Sequence, residues 1–553
     1  MNSLGSIFPH DIPEICREFS RKFKALRGVM CFMLDFMPDK SPDGLEMAVL
    51  RRADLFSQYL ECEPLILTNL YQHHFAENSL HQREFGRVSA MRVINLYDYL
   101  QGIDRSPTAP SSEPELPYID PEWKCEEVKD SRDLSVKDAA GRQLMYINRD
   151  NRSGRLVGIT YFTGSQVSRR DNYDVQGFLS RIEFVDQKSN FPSQRIYLRP
   201  DHTVALVERP KPGGPGPNGN ADDDAITVMN RKGQVIQQFV SHTELTAFWL
   251  LSMLRDPNCF YLLLFDRAGY YQRTFQELAK RRDAYSNLRV ICQAHASHAS
   301  EPLARLGYNF RYIDDRSMRV DGVVTLTERQ KADIERRLGG NTPWPITSIP
   351  HFLPPKHRIN DNNGTVKVQL PPKSIIMVGR LDGGKQPNLA LQAFAEVAKA
   401  VPDASLHFLG KGPDEQSLRQ QAAALNLTER VVFHGFVSDL SSVYRQAALM
   451  FLCSRSEGFS LVILEALSYG CPCVSFDCRY GPDTMITDDL NGYLVPPGDT
   501  AALAQKAIAI LKDNALRDKL SAGALESLEK FSPPSVASRW ADFLLEILPK
   551  TPD

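Results

Sequence analysis

Apolar positions along the chain fall into two alternating textures. In the first, short continuous apolar runs are separated by stretches with helical spacing. Residues 29–34 read Val-Met-Cys-Phe-Met-Leu, a run that suits a strand buried on both faces of a parallel sheet. After a polar loop at 38–44, Leu45, Val49, Ala53, Phe56 and Leu60 form one stripe among charges, which predicts a helix. Residues 63–68 predict the next strand. A strand–loop–helix–strand series of this kind opens a doubly wound sheet.

The texture changes at residue 106. A segment rich in Pro and Ser, 106–121, reads as a linker. Residues 122–242 then carry short alternating runs between turn residues, clearest at 181–186, 195–199, 204–207 and 225–229. That pattern predicts an antiparallel meander. Within it, 210–224 holds four prolines, four glycines and three aspartates, the composition of a flexible hairpin loop. The aspartate triplet is open to two readings, a cation site or a solvated loop.

From residue 244 the α/β texture resumes, with strands expected at 260–265, 288–292 and 320–325 and a helix at 328–338. The meander is therefore expected as an insertion into one α/β domain. Residues 354–372, with an Asn-rich run at 360–364, read as an interdomain linker. Beyond it come strands at 374–378, 406–409, 431–433, 449–453, 471–476 and 492–495, with helices such as 388–399 and 458–469 between them. This is a second parallel sheet, and two such domains face to face leave a cleft lined by strand carboxyl ends. The expected division is 1–120 with 243–355, an inserted 121–242, then 356–530, and a C-terminal helix in 531–553 returning to the N-terminal domain.

Composition narrows the class. Apolar residues are 42% and charged residues 24%, and 65 Lys plus Arg against 67 Asp plus Glu give a net charge of −2. That balance argues against a general nucleic-acid binder but leaves room for a local basic pocket. The 10 cysteines are scattered, several in apolar runs such as Phe451-Leu452-Cys453, as expected of reduced, buried thiols in the cytoplasm. Cys471-Pro472-Cys473 has the wrong spacing for a zinc knuckle. Residues 1–20 lack an apolar signal core, and the apolar runs are too short to span a bilayer. Membrane contact is expected, if at all, as peripheral association at the inner face.

Three features of the last third carry chemistry. The first is Val378-Gly379-Arg380-Leu381-Asp382-Gly383-Gly384-Lys385, a strand end running into a Gly-rich turn with two cations. Backbone there can approach a phosphate, and Arg and Lys supply forked and point charge; a solvated turn is the alternative. The second is Gly410-Lys411-Gly412, another strand end, able to hold an anion or a nucleobase edge or simply a short βα loop. The third runs from Ser454 to Pro472. Glu457 stands at a strand tip before a helix, Glu465 about two turns into it. Residues Gly458, Phe459, Ser460 and Leu461 would offer free amides at its amino end to a diphosphate, and Glu465 can accept from a ribose diol. Both acids also have ordinary readings, as a helix-dipole partner and an exposed helix acid.

Glu457, seven residues, Glu465, within Glu-Gly-Phe-Ser-Leu and Glu-Ala-Leu-x-x-Gly-x-Pro, resembles the signature of retaining glycosyltransferase family four. The Gly379/Arg380/Lys385 turn, Gly410/Gly412 and His434-Gly435-Phe436 follow that family in order and spacing. The resemblance covers residues 374–500. It implies a GT-B fold, two Rossmann-like domains with a nucleotide-sugar in the cleft between them. In the N-terminal half, His295 in Val290-Ile-Cys-Gln-Ala-His-Ala-Ser-His298 matches the family's strand-end histidine, and 321–330 is also similar to the family. The meander, with Arg170 to Ser180, resembles the β-domain of bacterial wall teichoic acid α-glycosyltransferases and of the adhesin glycosyltransferases. Two departures stand out: Pro42 to Glu46 replaces the usual Gly-Gly loop, and His351 stands where Asn is common.

The resemblance implies transfer of glucose or N-acetylglucosamine from UDP-glucose or UDP-N-acetylglucosamine to a hydroxyl of a polyol-phosphate polymer, with no resident cofactor. Arg380 and Lys385 would neutralise the diphosphate, Glu465 would hold ribose, Glu457 would face the sugar, and His295 would contact sugar or acceptor. No metal is implied where two cations do this work, and the pairs Asp314-Asp315 and Asp488-Asp489 lack a strand-end setting. Front-side attack and double displacement both stay open. So do a protein O-glycosyltransferase and a non-catalytic GT-B partner protein. The β-insert is expected to carry a homo-oligomer or partner complex.

Overall fold

The computed structural model describes residues 29–34, 44–60, 62, 64–71, 92–103, 105, 114, 117–151, 153–211, 224–254, 256–257, 259–266, 271–298, 306–315, 318–353, 368–437 and 439–548. Most of both predicted linkers, the loop at 38–43, Asp222 and Asp223 and the first 20 residues lie outside them. The chain divides into two compact units, Met1–Val290 with Ser317–Arg319, and Ile291–Arg316 with Val320–Asp553.

In the first unit four parallel strands run in the order Phe260–Phe265, Val29–Leu34, Leu65–Thr68, Arg92–Asn95. The helix Gly44–Tyr59 buries Val49, Ala53 and Phe56 of its predicted stripe. The meander is there, and larger than its clearest runs. Ten strands from Lys124–Glu127 to Val235–Phe239 pair antiparallel, each with its neighbours in sequence. Strands Val204–Arg209 and Ala225–Met229 form a hairpin with Arg209 opposite Ala225, so the Pro/Gly-rich segment joins paired strands. Both outer strands of the sheet are largely exposed.

A buried polar cluster sits on this sheet. Glu208, fully buried, accepts from the hydroxyls of Tyr97 and Tyr197 at 2.9 Å each and lies 3.3 Å from His242 Nε2. Burial alone would raise the Glu208 carboxyl, but His242, Arg195 and the Tyr197 hydroxyl outweigh it and hold it down at about 2. Burial would likewise lower His242, and the Glu208 carboxylate raises it instead.

In the second unit, the end of strand Leu288–Ala294 pairs in parallel with Gly322–Thr325, and that strand with Ile346–Ser348. The helix Pro533–Ile547 covers the middle strand: a Cβ on Gly322 would lie 2.7 Å from the Phe543 ring. A six-stranded sheet follows, all parallel, in the order Val431–Gly435, Ser405–Leu409, Ser374–Val378, Leu449–Leu452, Cys473–Phe476, Gly492–Val495. Phe394, Phe408 and Leu503 pack one face, Ile376, Leu452 and Ile463 the other. Each such fully buried side chain contributes about 1.5–3 kcal/mol. Successive strands step outward from Ser374–Val378 on one side and then resume on its other side, so its carboxyl end is the point where the winding reverses. In open α/β sheets that crevice takes the ligand. One boundary differs from the sequence expectation. The helix expected at 458–469 is Leu461–Ser468, because Ser460 has φ +76° and keeps 457–460 in a turn. Glu465 is thus little more than one turn into the helix.

The Glu208–His242 pair predicts a pH signature. Glu208 adds stability above its unfolded value of 4.5, lost as pH falls toward about 2. His242 adds stability below its unfolded value of 6.5, lost as pH rises through its raised folded value. His298 and His407, lowered by burial to about 4, act oppositely and cost stability only below 6.5. Between pH 6.5 and about 8, thermal melts should therefore fall for the wild type and fall less for His242→Gln. Equal slopes would contradict the pairing.

Candidate active site

The turn after Ser374–Val378 is built by close backbone contact. Gly379 (φ +141°) donates to the Leu409 carbonyl at 3.0 Å, and Gly410 to the Gly435 carbonyl at 2.7 Å. A Cβ on Gly410 would lie 1.9 Å from the Gly379 oxygen, and one on Gly412 2.2 Å from the Leu381 oxygen. Those distances leave room for glycine alone, so backbone packing by itself requires both glycines. Three strand ends are thereby drawn into one surface. Asp382 shapes the turn: its Oδ1 accepts from the N–H groups of Gly384 and Lys385 at 3.0 and 3.1 Å, and its Oδ2 lies 2.9 Å from Arg380. Arg380 is 81% exposed, so that ion pair holds it weakly and leaves it able to turn to another anion.

Lys385 reaches the other way. Its Nζ donates to Glu457 Oε1 at 2.6 Å, and Ser454 Oγ donates to the same oxygen at 2.6 Å. The Arg455 N–H on the Gly384 carbonyl, 2.9 Å, ties the two turns together. Next to Glu457, Gly458 lies so close to the His295 carbonyl that a Cβ would be 1.8 Å from its oxygen. Ser460 follows, its Oγ buried and without a hydrogen-bond partner among the described residues. Helix Leu461–Ser468 starts with no side-chain cap, so its first amides keep their capacity to bind an anion. Glu465 Oε2 accepts from the Tyr444 hydroxyl at 3.3 Å.

The two histidines of the strand-end motif part company. His295 is half-buried, its ring stacked on His351 at 5.4 Å and 23°, and His351 meets Phe459 edge-on at 5.4 Å. The residue that departs from the family pattern is thus stacked on the candidate histidine. His298 is fully buried, and burial lowers it to about 4, so it is neutral. At the second turn, His434 is bound through Nε2 to His407 Nδ1 at 3.0 Å, and His407 in turn meets Ser405 Oγ at 2.8 Å. Phe436 beside it is 69% exposed, an aromatic face open to a flat ligand.

One body of the fold, the second unit, thus holds every candidate: Gly379, Arg380, Lys385, the two glycine turns, Glu457 to Leu461, Glu465 and His295. The sequence reading gave no role to Asp382 and Ser454, although both stand inside its motifs: an Asp before Gly-Gly is a turn signal, and Ser454 lies three residues before Glu457. It missed Asp333 and Tyr480, 147 residues apart, which belong to no local pattern. Among the described residues no group of His, Cys, Asp and Glu suits a metal ion, and no helix is long and apolar enough to cross a membrane.

Residues 362–526 match the family model "Glycosyl transferases group 1". The poly(glycerol-phosphate) alpha-glucosyltransferase of Bacillus subtilis is 26% identical over 401 residues, 69% of this chain and 55% of that protein; the match thus spans about half of that relative. A crystal structure of an S. aureus TarM point mutant in complex with fondaparinux, alpha-GlcNAc-glycerol and UDP superposes with a TM-score of 0.73 at 18% identity, over 93% of this chain and 99% of the other. The pneumococcal O-GlcNAc transferase GtfA in complex with UDP and GlcNAc superposes at 0.74 and 20% identity, over 94% and 99%. The chain thus has the GT-B fold of these two structures, and its residues 362–526 match the glycosyl transferases group 1 model.

Proposed function

We propose that the chain moves glucose or N-acetylglucosamine from a UDP-sugar, with retention, to a hydroxyl of a polyol-phosphate polymer. The observation that carries this reading is the Lys385–Glu457 contact at the reversal point of the sheet, beside an uncapped helix start. In the proposed complex the diphosphate lies on the amides of Gly458 to Leu461, with Arg380 and Lys385 turned to it. Gly379, Gly410 and Gly412 admit the nucleotide, Phe436 takes the base face beside His434 and Gly435, and Glu465 holds ribose. The bond from the anomeric carbon to the diphosphate breaks, its electron pair leaving on a phosphate oxygen that the two cations neutralise. The acceptor oxygen then bonds to the anomeric carbon from the same side, and its proton passes to the departing diphosphate. Glu457 Oε1 already accepts two short hydrogen bonds, which suits a charge facing the oxocarbenium-like centre better than a nucleophile. His295 faces sugar or acceptor.

The polymer acceptor draws support from the B. subtilis relative and the S. aureus structure. The likeness to the pneumococcal O-GlcNAc transferase is equal in extent and supports a second reading, transfer to Ser/Thr of a protein. Incubation with UDP-glucose and UDP-N-acetylglucosamine, against polyglycerol-phosphate and against a Ser-rich peptide, separates them. Product on the polymer carries the proposal; product on the peptide alone overturns it in favour of the second. The outer strand Val235–Phe239, with Val235 56% exposed and Val240 just after it 74% exposed, supports a homo-oligomer through the β-insert. Open edges favour pairing with another chain.

Four results are expected. Arg380→Ala should weaken UDP binding by about 1.5–3 kcal/mol, the value of a hydrogen bond to a charged group, in calorimetric titration. Glu457→Gln should cut turnover steeply, to a rate still measurable, while the chain stays folded and UDP binding is not weakened; Glu465→Gln should instead weaken UDP binding. Paired Val235→Lys and Val240→Lys should lower the mass seen in sedimentation without changing UDP affinity; an unchanged mass would contradict pairing through that edge.

A further inference from the structure

Glu457 is held by its main chain as well as by its carboxylate. Its N–H donates to the Arg479 carbonyl at 2.8 Å, and its carbonyl accepts from the Tyr480 N–H at 2.7 Å. One step further, Gly481 (φ +106°) passes so near the Phe459 carbonyl that a Cβ would lie 2.0 Å from its oxygen. Segment 479–481 therefore backs the whole Glu457 turn.

That segment is fixed by a side chain. Tyr480 is fully buried and donates its hydroxyl proton to Asp333 Oδ2 at 2.9 Å. Its ring lies nearly parallel to that of His298, 5.7 Å away at 9°. Asp333, 3% exposed, also pairs with Arg336 at 2.7 Å and with Arg479 Nε at 3.2 Å. His298 belongs to the loop that carries His295. The loop is tied to helix Glu328–Arg337 by Gln330 Nε2 on the Ala296 carbonyl, 2.8 Å, and packs against Gly458 through the His295 carbonyl. Tyr480 thus touches both the segment behind Glu457 and the loop of His295. For packing alone a phenylalanine would serve. A buried hydroxyl is costly unless bonded, and a satisfied polar network in low dielectric fixes one arrangement.

We infer that Tyr480 is a positioning residue for sugar transfer, which through Asp333 and His298 sets the Glu457 turn in register with the His295 loop. This rests on the proposed roles of Glu457 and His295. Those two groups must meet the same sugar, and a misplacement of about 1 Å can cost about a hundredfold in rate. Tyr480→Phe removes one hydroxyl and leaves Asp333 with its two arginines, so no carboxylate is stranded.

The test uses the full chain, UDP-glucose and UDP-N-acetylglucosamine, and the two acceptors above. Tyr480→Phe should lower kcat by about tenfold to a hundredfold while UDP affinity is unchanged. Tyr493→Phe, which loses a hydroxyl bond to Asp489 at 2.8 Å elsewhere in the fold, should leave kcat as it is. Because Tyr480 acts through Glu457, adding Tyr480→Phe to Glu457→Gln should cost little further. A merely structural hydroxyl would slow both backgrounds equally, and that result overturns the inference. So does wild-type turnover in Tyr480→Phe. Should that variant not fold, Asp333→Ala, which removes the partner and keeps the ring, should show the same kcat loss at unchanged UDP affinity; normal turnover in folded Asp333→Ala overturns the inference. A wild-type chain that neither binds UDP nor uses either sugar overturns the functional reading, and this inference falls with it.

Discussion

An ammonium and a carboxylate 2.6 Å apart, Lys385 Nζ and Glu457 Oε1, join two turns that lie 72 residues apart in sequence. Their side chains are 27% and 10% exposed, so the pair is shielded enough to matter and open enough to be exchanged. Removing charges from water costs free energy that the partner and further hydrogen bonds must offset. Here Ser454 supplies the second bond to the carboxylate. In the proposed reaction the pair is a resting state. A diphosphate competes for the lysine, and the glutamate it releases faces the sugar at the moment positive charge develops there. Arg380, exposed and weakly held by Asp382, adds to that exchange without disturbing the fold.

The pair depends on backbone that comes closer than side chains permit. Gly410 against Gly379, Gly412 against Leu381, Gly458 against His295 and Gly481 against Phe459 are four such approaches. Each brings a strand end or turn to the reversal point of the six-stranded sheet. The chemistry of the site is therefore written largely as glycine, with few charged residues added.

Much of this was legible in sequence because the signals are local. Buried parallel strands show as apolar runs, and the meander shows as alternation broken by turn residues. The glycine turns and the two glutamates stand in an ordered series. What was not legible is pairing across long separations. Tyr480 and Asp333 lie 147 residues apart, and nothing in either neighbourhood marks the bond. The same holds for Glu208 with Tyr97 and His242. Backbone conformation also escaped: Ser460 in the left-handed region shortens the helix and moves Glu465 nearer its start. The spacing of His295 and His298 left the role of His298 open; burial and stacking give it to the interior.

The exchange of Lys385 between Glu457 and a diphosphate is the centre of the account, and a crystal structure of the full chain with UDP bound tests it directly. The account predicts diphosphate oxygens within hydrogen-bond distance of Lys385 Nζ and of the first amides of helix Leu461–Ser468. Lys385 would then be drawn away from Glu457 Oε1. Lys385 still on Glu457, with the diphosphate bound elsewhere, would contradict it.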